Sequence, residues 1–269
     1  DVVFSVVGYL NLIVAFCSMF VPRGIKFYAR ETNIPSFFIN NEKFPRLTRI
    51  LYGFLLNKFT KIISQSSDMY NDLLDNFSIP SNKLVLIENP VDSDLIRKMA
   101  SAIRCKPKVK SFLFIGRLTE QKGIDYLCDI ILKTKESDFV FDILGDGEDE
   151  FLLQTLINKE PSLENRLHIH GKVENPYMYM QHADALISTS RYEGLSNVVL
   201  ESMCLGLPVV AFNCPGGMSS IIKDGANGCI VDAFDTEQFS LILNEFDITE
   251  FDRPKISQEA ISCWGVDTI

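Results

Sequence analysis

The sequence is poor in the residues that build disulfide frameworks and metal centres. Its seven cysteines, at positions 17, 105, 128, 204, 214, 229 and 263, stand singly, odd in number and with no CxxC pair. That pattern argues against a secreted disulfide scaffold and against a structural zinc site, and it fits a reducing compartment. Only three histidines occur. Two of them, His168 and His170, alternate along RLHIHG as a strand would carry them, so a strand or rim role is expected for them and no metal site. Short-period repeats and low-complexity tracts are absent. No GxGxxG runs from a strand into a helix, which excludes the dinucleotide fingerprint. No methionine opens the chain and no basic segment precedes its first apolar run, while CWGVDTI at the other end reads as mid-helix. A fragment shortened at both ends is the expectation.

Charge of one sign is also scarce in each half. Residues 1–110 hold 15 Lys and Arg against 9 Asp and Glu, whereas residues 111–269 hold 11 against 26. An acidic back half argues against nucleic acid as a partner, and a basic front permits a face turned toward an anionic membrane or a phosphorylated acceptor. From Val2 to Pro22 there is no charge at all, long enough for a membrane span. Ser5, Gly8, Asn11 and Ser18 interrupt the run, however, and VVFSVVG is β-rich while LNLIVAFCSMF is helix-like, so a buried strand followed by a core helix is the simpler expectation.

What the chain does contain is alternation. After the opening unit, strands are expected at 25–31 and 61–66, helices at 46–59 and 67–77 with Ser67 as the cap of the second, and a short strand beginning at 83. The connector KPKVK (106–110) coincides with the change in charge sign and marks a boundary between a first domain, 1–106, and a second, 107–269. Beyond it, strands are expected at 111–115, 139–144, 167–170, 185–188, 208–212 and 228–232. Helices are expected near 122–135, 148–158, 176–183, 196–205, 218–223 and 235–245. Near-continuous apolar strands separated by helices require a parallel sheet covered on both faces. The fold class is therefore α/β, two Rossmann-like doubly wound domains, the first incomplete.

Ligands of such sheets bind outside the carboxyl ends of the strands. In IGRLTEQKG (115–123), Gly116 and Arg117 follow a strand and Lys122 opens a helix; a guanidinium fork, a mobile ammonium and a helix start together suit a diphosphate. In LGDGED (144–149), Gly145 and Gly147 let a backbone approach a flat ligand. In HGKVEN (170–175), Gly171 offers main-chain groups to a base edge or forms a plain turn. In SRYEGLSNVVLESMCLG, Gly194 permits a sharp turn into a helix capped near Ser196 and Asn197, leaving the amides of Leu195, Ser196 and Asn197 at a positive helix end. Glu193 precedes that end and Glu201 lies about 6 Å along the axis. Carboxylates accept hydrogen bonds from vicinal hydroxyls, so an anion flanked by two such acids reads as a phosphate with sugars on both sides, a sugar nucleotide.

These segments, with IENPVD, ISQSSDM and GGMSSIIKDGANGCIVD in the same order and spacing, resemble the retaining glycosyltransferases of the GT4 type, which have the two-domain GT-B fold. The resemblance covers nearly the whole chain. It implies a sugar moved from a nucleotide-sugar donor, UDP-linked, to a saccharide or lipid-linked acceptor in cell-envelope polysaccharide or glycoconjugate synthesis. Arg117 and Lys122 would hold the diphosphate, Glu193 the hydroxyls of the donor sugar and Glu201 the ribose; Gly116, Gly171, Gly194, Leu195, Ser196 and Asn197 would complete the donor site. The leaving phosphate would help take the acceptor proton, with retention of configuration and with no cofactor or metal. A cytoplasmic enzyme, peripheral on the inner face of the membrane, is implied. The chain departs from the family in lacking a glycine-rich loop and a histidine in its first domain, and in carrying Ser220 where relatives often have glutamate. Arg30 and Glu31, in ARETN, are placed on the acceptor side. Nucleotide binding without transfer is a further expectation for a shortened chain. Two other readings stand beside this one. One is a sugar-nucleotide epimerase or hydrolase on the same architecture, which would consume donor without acceptor. The other is a membrane-anchored nucleotide-binding protein in which residues 2–22 span the bilayer, supported by the basic residues Arg46, Arg49, Lys58 and Lys61.

Overall fold

The computed structural model describes residues 1–22, 24–40, 43–101, 109–134 and 137–268. Two compact units account for it. The first comprises residues 1–89, 192–195 and 215–217, and the second comprises 90–191, 196–214 and 218–269. Each is a parallel-sheet α/β unit, as the alternation of the sequence requires.

In the first unit the elements run β1 (Val2–Val6), α1 (Gly8–Ser18), β2 (Lys26–Arg30), α2 (Pro35–Asn40), α3 (Pro45–Leu56), β3 (Lys61–Ser64), α4 (Ser67–Phe77) and β4 (Leu84–Leu86). The strands pair in the order β1-β2-β3-β4, all parallel. Ala29, Ile39, Leu56, Ile62 and Leu73 are fully buried in its core. The uncharged opening run is β1 followed by α1. At 11 residues that helix cannot cross a bilayer, and among the described residues no helix is long and apolar enough to do so. The span over residues 2–22 is thereby overturned. The cap of α4 is Ser66, not Ser67. Ser66 is extended and its hydroxyl accepts from the Met69 amide at 3.3 Å, while Ser67 already lies inside the helix.

Glu31, expected on the acceptor side, is instead 1% exposed. Asn11 Nδ2 donates to its Oε1 at 2.8 Å and Tyr52 Oη to its Oε2 at 3.0 Å. Burial pushes this carboxyl up to about 7, only partly opposed by those two hydrogen bonds.

In the second unit α5 (Ser93–Ala100) precedes β5 (Lys110–Ile115), α6 (Ile124–Lys133), β6 (Phe139–Leu144), α7 (Glu150–Lys159) and β7 (Leu167–Gly171). Then come α8 (Tyr177–His182), β8 (Ala185–Ser188), α9 (Asn197–Cys204), β9 (Val209–Phe212), α10 (Met218–Ile221), β10 (Gly228–Val231), α11 (Thr236–Glu245) and α12 (Arg253–Trp264). The six strands are parallel in the order β10-β9-β8-β5-β6-β7, the reversal of a doubly wound sheet. β6 is buried at all six positions. Residues 90–101 pack here and not with the first unit: Val91 bridges to Gly265, and Asn175 Nδ2 donates to the Met99 carbonyl at 2.9 Å. The charged connector expected at 106–110 lies, up to residue 108, outside the described residues. The chain around Cys263 is not mid-helix, since α12 ends at Trp264 and Gly265 returns to Val91.

Because the folded carboxyl of Glu31 titrates above its unfolded value, the unfolded chain ionises first, and this group's contribution falls as pH rises from about 4.5 to about 7. Its full loss is about 3 kcal/mol. For Glu31→Gln, urea unfolding at pH 5 and pH 8 is expected to show a smaller loss of stability across that interval than in the wild type; an unchanged difference would refute the assignment.

Candidate functional site

The loops at the carboxyl ends of β5, β6 and β7 enclose a cavity of about 330 Å³ in the second unit, lined by Gly116, Arg117, Gly145, Asp146, Lys172 and Pro176 among others. Gly116 leaves β5 with its amide bonded to the Leu144 carbonyl at 3.0 Å, and Gly145 donates to the Gly171 carbonyl at 2.8 Å. The three turns are thus laced backbone to backbone. A methyl group at Gly145 (φ +141°) would meet the Gly116 carbonyl oxygen at 1.8 Å. The glycine expected to admit a flat ligand therefore admits the neighbouring turn instead.

Arg117 is exposed at the mouth of this cavity. Lys122 ends a 3₁₀ turn, Glu120–Lys122, with Gly123 as the left-handed cap of α6. Its aliphatic stem lies over Gly116, 3.3 Å from where a Cβ would stand. Together with Ser196 and Val199 it lines a second, small cavity at the amino end of α9. The two expected cations thus flank one strand end, and Lys122 reaches the helix start proposed for the anion.

Ser196 is the cap residue of α9, with extended backbone, but its side chain makes no capping bond. The first-turn amides are not covered by that hydroxyl, and the helix end retains partial positive charge. Glu201 lies on the fifth position of α9, and burial raises its carboxyl to about 7. The phenol of Tyr177, next to Pro176 of the cavity wall, is raised by burial and then by the charge of Glu201.

Glu193, Gly194 and Leu195 group with the first unit. Glu193 is 6% exposed and its amide donates to the Pro215 carbonyl at 2.8 Å. Tyr192 stacks on Phe37, with ring centroids 5.0 Å apart. Gly194 does not adopt the left-handed backbone expected of a sharp turn. It is glycine because the Thr32 carbonyl oxygen lies 2.2 Å from where its Cβ would be. The Gly216 and Gly217 amides donate to Asp68 Oδ2 at 2.9 and 3.0 Å, a role for Asp68 that its place in ISQSSDM does not reveal.

Sequence reasoning also missed Arg191. Its guanidinium makes a bidentate pair with Asp125 at 2.8 and 2.6 Å, donates to the Glu120 carbonyl at 2.7 Å and lies over the Tyr126 ring. The Arg191 amide donates to the Gln121 carbonyl at 2.8 Å, and Thr189 Oγ1 to the Lys122 carbonyl at 2.9 Å. The turn carrying Lys122 is therefore clamped to the loop after β8. The hydrogen bond from Arg191, together with the guanidinium charge and against the effect of burial, holds the Asp125 carboxyl below its ordinary value.

Residues 109–245 match the family described as glycosyl transferases group 1. The chain belongs to this family. A Campylobacter jejuni relative, N-acetylgalactosamine-N,N'-diacetylbacillosaminyl-diphospho-undecaprenol 4-alpha-N-acetylgalactosaminyltransferase, is 31% identical over 204 residues, 75% of this chain and 55% of its own length. The amylovoran biosynthesis glycosyltransferase AmsD of Erwinia amylovora is 35% identical over 153 residues, 57% of this chain and 43% of its own. The chain thus spans about half the length of these curated relatives. The crystal structure of Anabaena HepE in complex with UDP and glucose superposes with a TM-score of 0.83 at 19% identity, over 100% of this chain and 75% of that one. At that identity the likeness shows the GT-B fold alone, and it agrees with the two parallel-sheet units of the group 1 transferase described above.

The packing of Gly145 against Gly116 yields a comparison. Gly145→Ala is expected to lower the melting temperature clearly more than Gly171→Ala, whose φ of +66° carries a backbone cost but which has nothing within 4 Å of a new methyl group. The first should lose more than about 1 kcal/mol. Equal shifts in a thermal melt would contradict the backbone lacing of these turns.

Proposed function

We propose that the protein is a retaining glycosyltransferase of the GT4 type that takes a sugar from a UDP-sugar and passes it to a saccharide or lipid-linked acceptor in cell-envelope polysaccharide synthesis. The observation that carries this reading is the placement of Arg117 and Lys122 on one turn after β5, with Lys122 against the amino end of α9. Two cations after one strand, one of them beside a helix amino end, suit a diphosphate leaving group. The names of the Campylobacter and Erwinia relatives support an undecaprenol-linked or polysaccharide acceptor, and the UDP bound by HepE supports the donor base.

In this reading the glycosidic carbon–phosphate oxygen bond breaks as the acceptor oxygen bonds to the same face of the sugar, and the acceptor proton passes to the departing phosphate oxygen. Arg117 and Lys122 stabilise the charge that grows on that diphosphate. Glu193 takes the hydroxyls of the donor sugar, and Glu201 takes the ribose. No metal is invoked for this step, because the fixed positive groups already answer the leaving charge. The outer face of α3 carries exposed Leu47, Ile50, Leu51 and Phe54 with Arg46 exposed on the same helix. Such a surface suits peripheral attachment to an anionic membrane from the cytoplasmic side.

UDP binding followed by calorimetry tests the donor site. Arg117→Ala and Lys122→Ala are each expected to weaken UDP at least about tenfold, the scale of a lost charge-assisted contact. Glu193→Gln should keep UDP binding while losing transfer. Full UDP affinity in both cation variants would sink the proposal, and donor consumption without any acceptor would favour a hydrolase or epimerase.

Glu201 adds a pH signature. Its carboxyl, raised to about 7, accepts ribose hydroxyls best when ionised, so UDP affinity is expected to rise from pH 6 to pH 8 in the wild type and to stay flat in Glu201→Gln. Parallel profiles in the two proteins would remove Glu201 from the ribose.

A further inference from the structure

The second unit holds a group of polar side chains that the donor site does not use. Asp142 lies in the middle of β6, a strand otherwise made of Phe, Val, Ile and Leu, and is 4% exposed. Register pairs it with His168 on β7, and at His170 the register shifts, passing from Ile143 opposite Ile169 to Leu144 opposite Gly171, with the His170 imidazole against the same carboxylate. Strand pairing and this shift in register thus bring one carboxylate and two imidazoles together from residues 26 and 28 positions apart in the chain.

Hydrogen bonding explains only part of this arrangement. His170 Nε2 sits 2.5 Å from Asp142 Oδ1, a hydrogen-bond distance, but His168 Nδ1 is 3.7 Å from the same oxygen, beyond one. One ligand atom from each of the three residues lies within 4.8 Å of the other two. In a tetrahedral site with bonds of about 2.0–2.2 Å, ligand atoms stand about 3.4 Å apart. Small side-chain rotations reach that spacing: the close pair opens slightly and the farther imidazole moves in. A single cation at the centre would engage both rings and the buried carboxylate together.

We propose that Asp142, His168 and His170 form a binding site for a divalent transition metal, with zinc as the best match. Two imidazoles and one carboxylate are the ligand set of borderline cations, and hard ions such as magnesium favour oxygen-rich sites. Both histidines are partly exposed, so the metal enters from solvent and keeps a coordination position for water. The site is separate from the proposed transfer chemistry and would give these histidines a role beyond that of strand residues. Its consequence is mechanical. A bound metal ties edge strand β7 to β6 one residue before Gly171, whose carbonyl accepts from Gly145 and whose turn continues into Lys172 of the cavity wall.

The test uses the tag-free chain, zinc in a thermal-shift titration and cobalt in an absorption titration. Zinc should raise the melting temperature with micromolar or tighter affinity, and cobalt should give ligand-field bands without a thiolate charge-transfer band. His168→Gln changes a partly exposed side chain and should leave the metal-free melting temperature nearly unchanged, whereas His170→Gln also removes a hydrogen bond to buried Asp142, so each variant is compared with its own metal-free melting temperature. Each should weaken both metals at least about tenfold. Asp142→Asn should do the same, with circular dichroism checking that it folds. Absence of binding at millimolar metal, undiminished binding in the double histidine variant, or a thiolate band pointing to exposed Cys17 or Cys263 would each overturn the assignment.

Discussion

The structure of the second unit depends on the parallel pairing of β5 between β8 and β6. Because every strand in this sheet points the same way, every strand ends on the same edge, and the turns that follow must share that edge. Gly116 and Arg117 after β5, Gly145 after β6, Gly171 at the end of β7 and the 189–191 segment after β8 share that edge for this reason. Their backbones then bond to one another, Gly116 to Leu144 and Gly145 to Gly171, so the floor of the cavity is made of main chain. At Gly145 this close approach leaves no room for a Cβ, so that glycine serves the scaffold before it serves any ligand.

On that scaffold the charged groups divide by what answers their burial. Arg191 answers Asp125 with a two-pronged hydrogen bond and in doing so anchors the turn that presents Lys122. Asp68 is answered by two main-chain amides and holds the 215–217 segment in the first unit. Glu31 and Glu201 are not answered by any cation strong enough to offset desolvation, and both carboxyls rise to about 7. Their surroundings give that shift different meanings. Glu31 is locked by Asn11 and Tyr52 inside the first core, where its charge is a cost to stability. Glu201 lies on α9, where the same shift bears on the hydroxyl-binding role proposed for it.

Much of this was legible in the chain. Apolar runs such as FVFDIL and ALIS can only be buried parallel strands, and they lie where expected. The loops chosen as ligand-bearing do follow strand ends, because the rule that selects them is topological. Misjudged elements had weak local signals. α2 is six residues long, and α12 is rich in charge and polar groups, so its apolar stripe is thin. Consecutive serines at 66 and 67 are equivalent as caps on paper, and only the backbone conformation of Ser66 decides between them. By sequence Glu31 falls on the acceptor side, because nothing local announces that Asn11 and Tyr52 will close over it.

The sequence by itself determined the class of architecture, the order of strands and helices and the pair of cations on one turn, since each follows from local periodicity or from spacing within a few residues. Tertiary structure alone decided which distant groups meet. The clamp of Arg191 on Asp125, the close approach of Thr32 to Gly194 and the meeting of Asp142 with two histidines all depend on register or on packing between segments far apart in the chain. Their energies come from geometry that no single segment contains, so no reading of one segment could supply them.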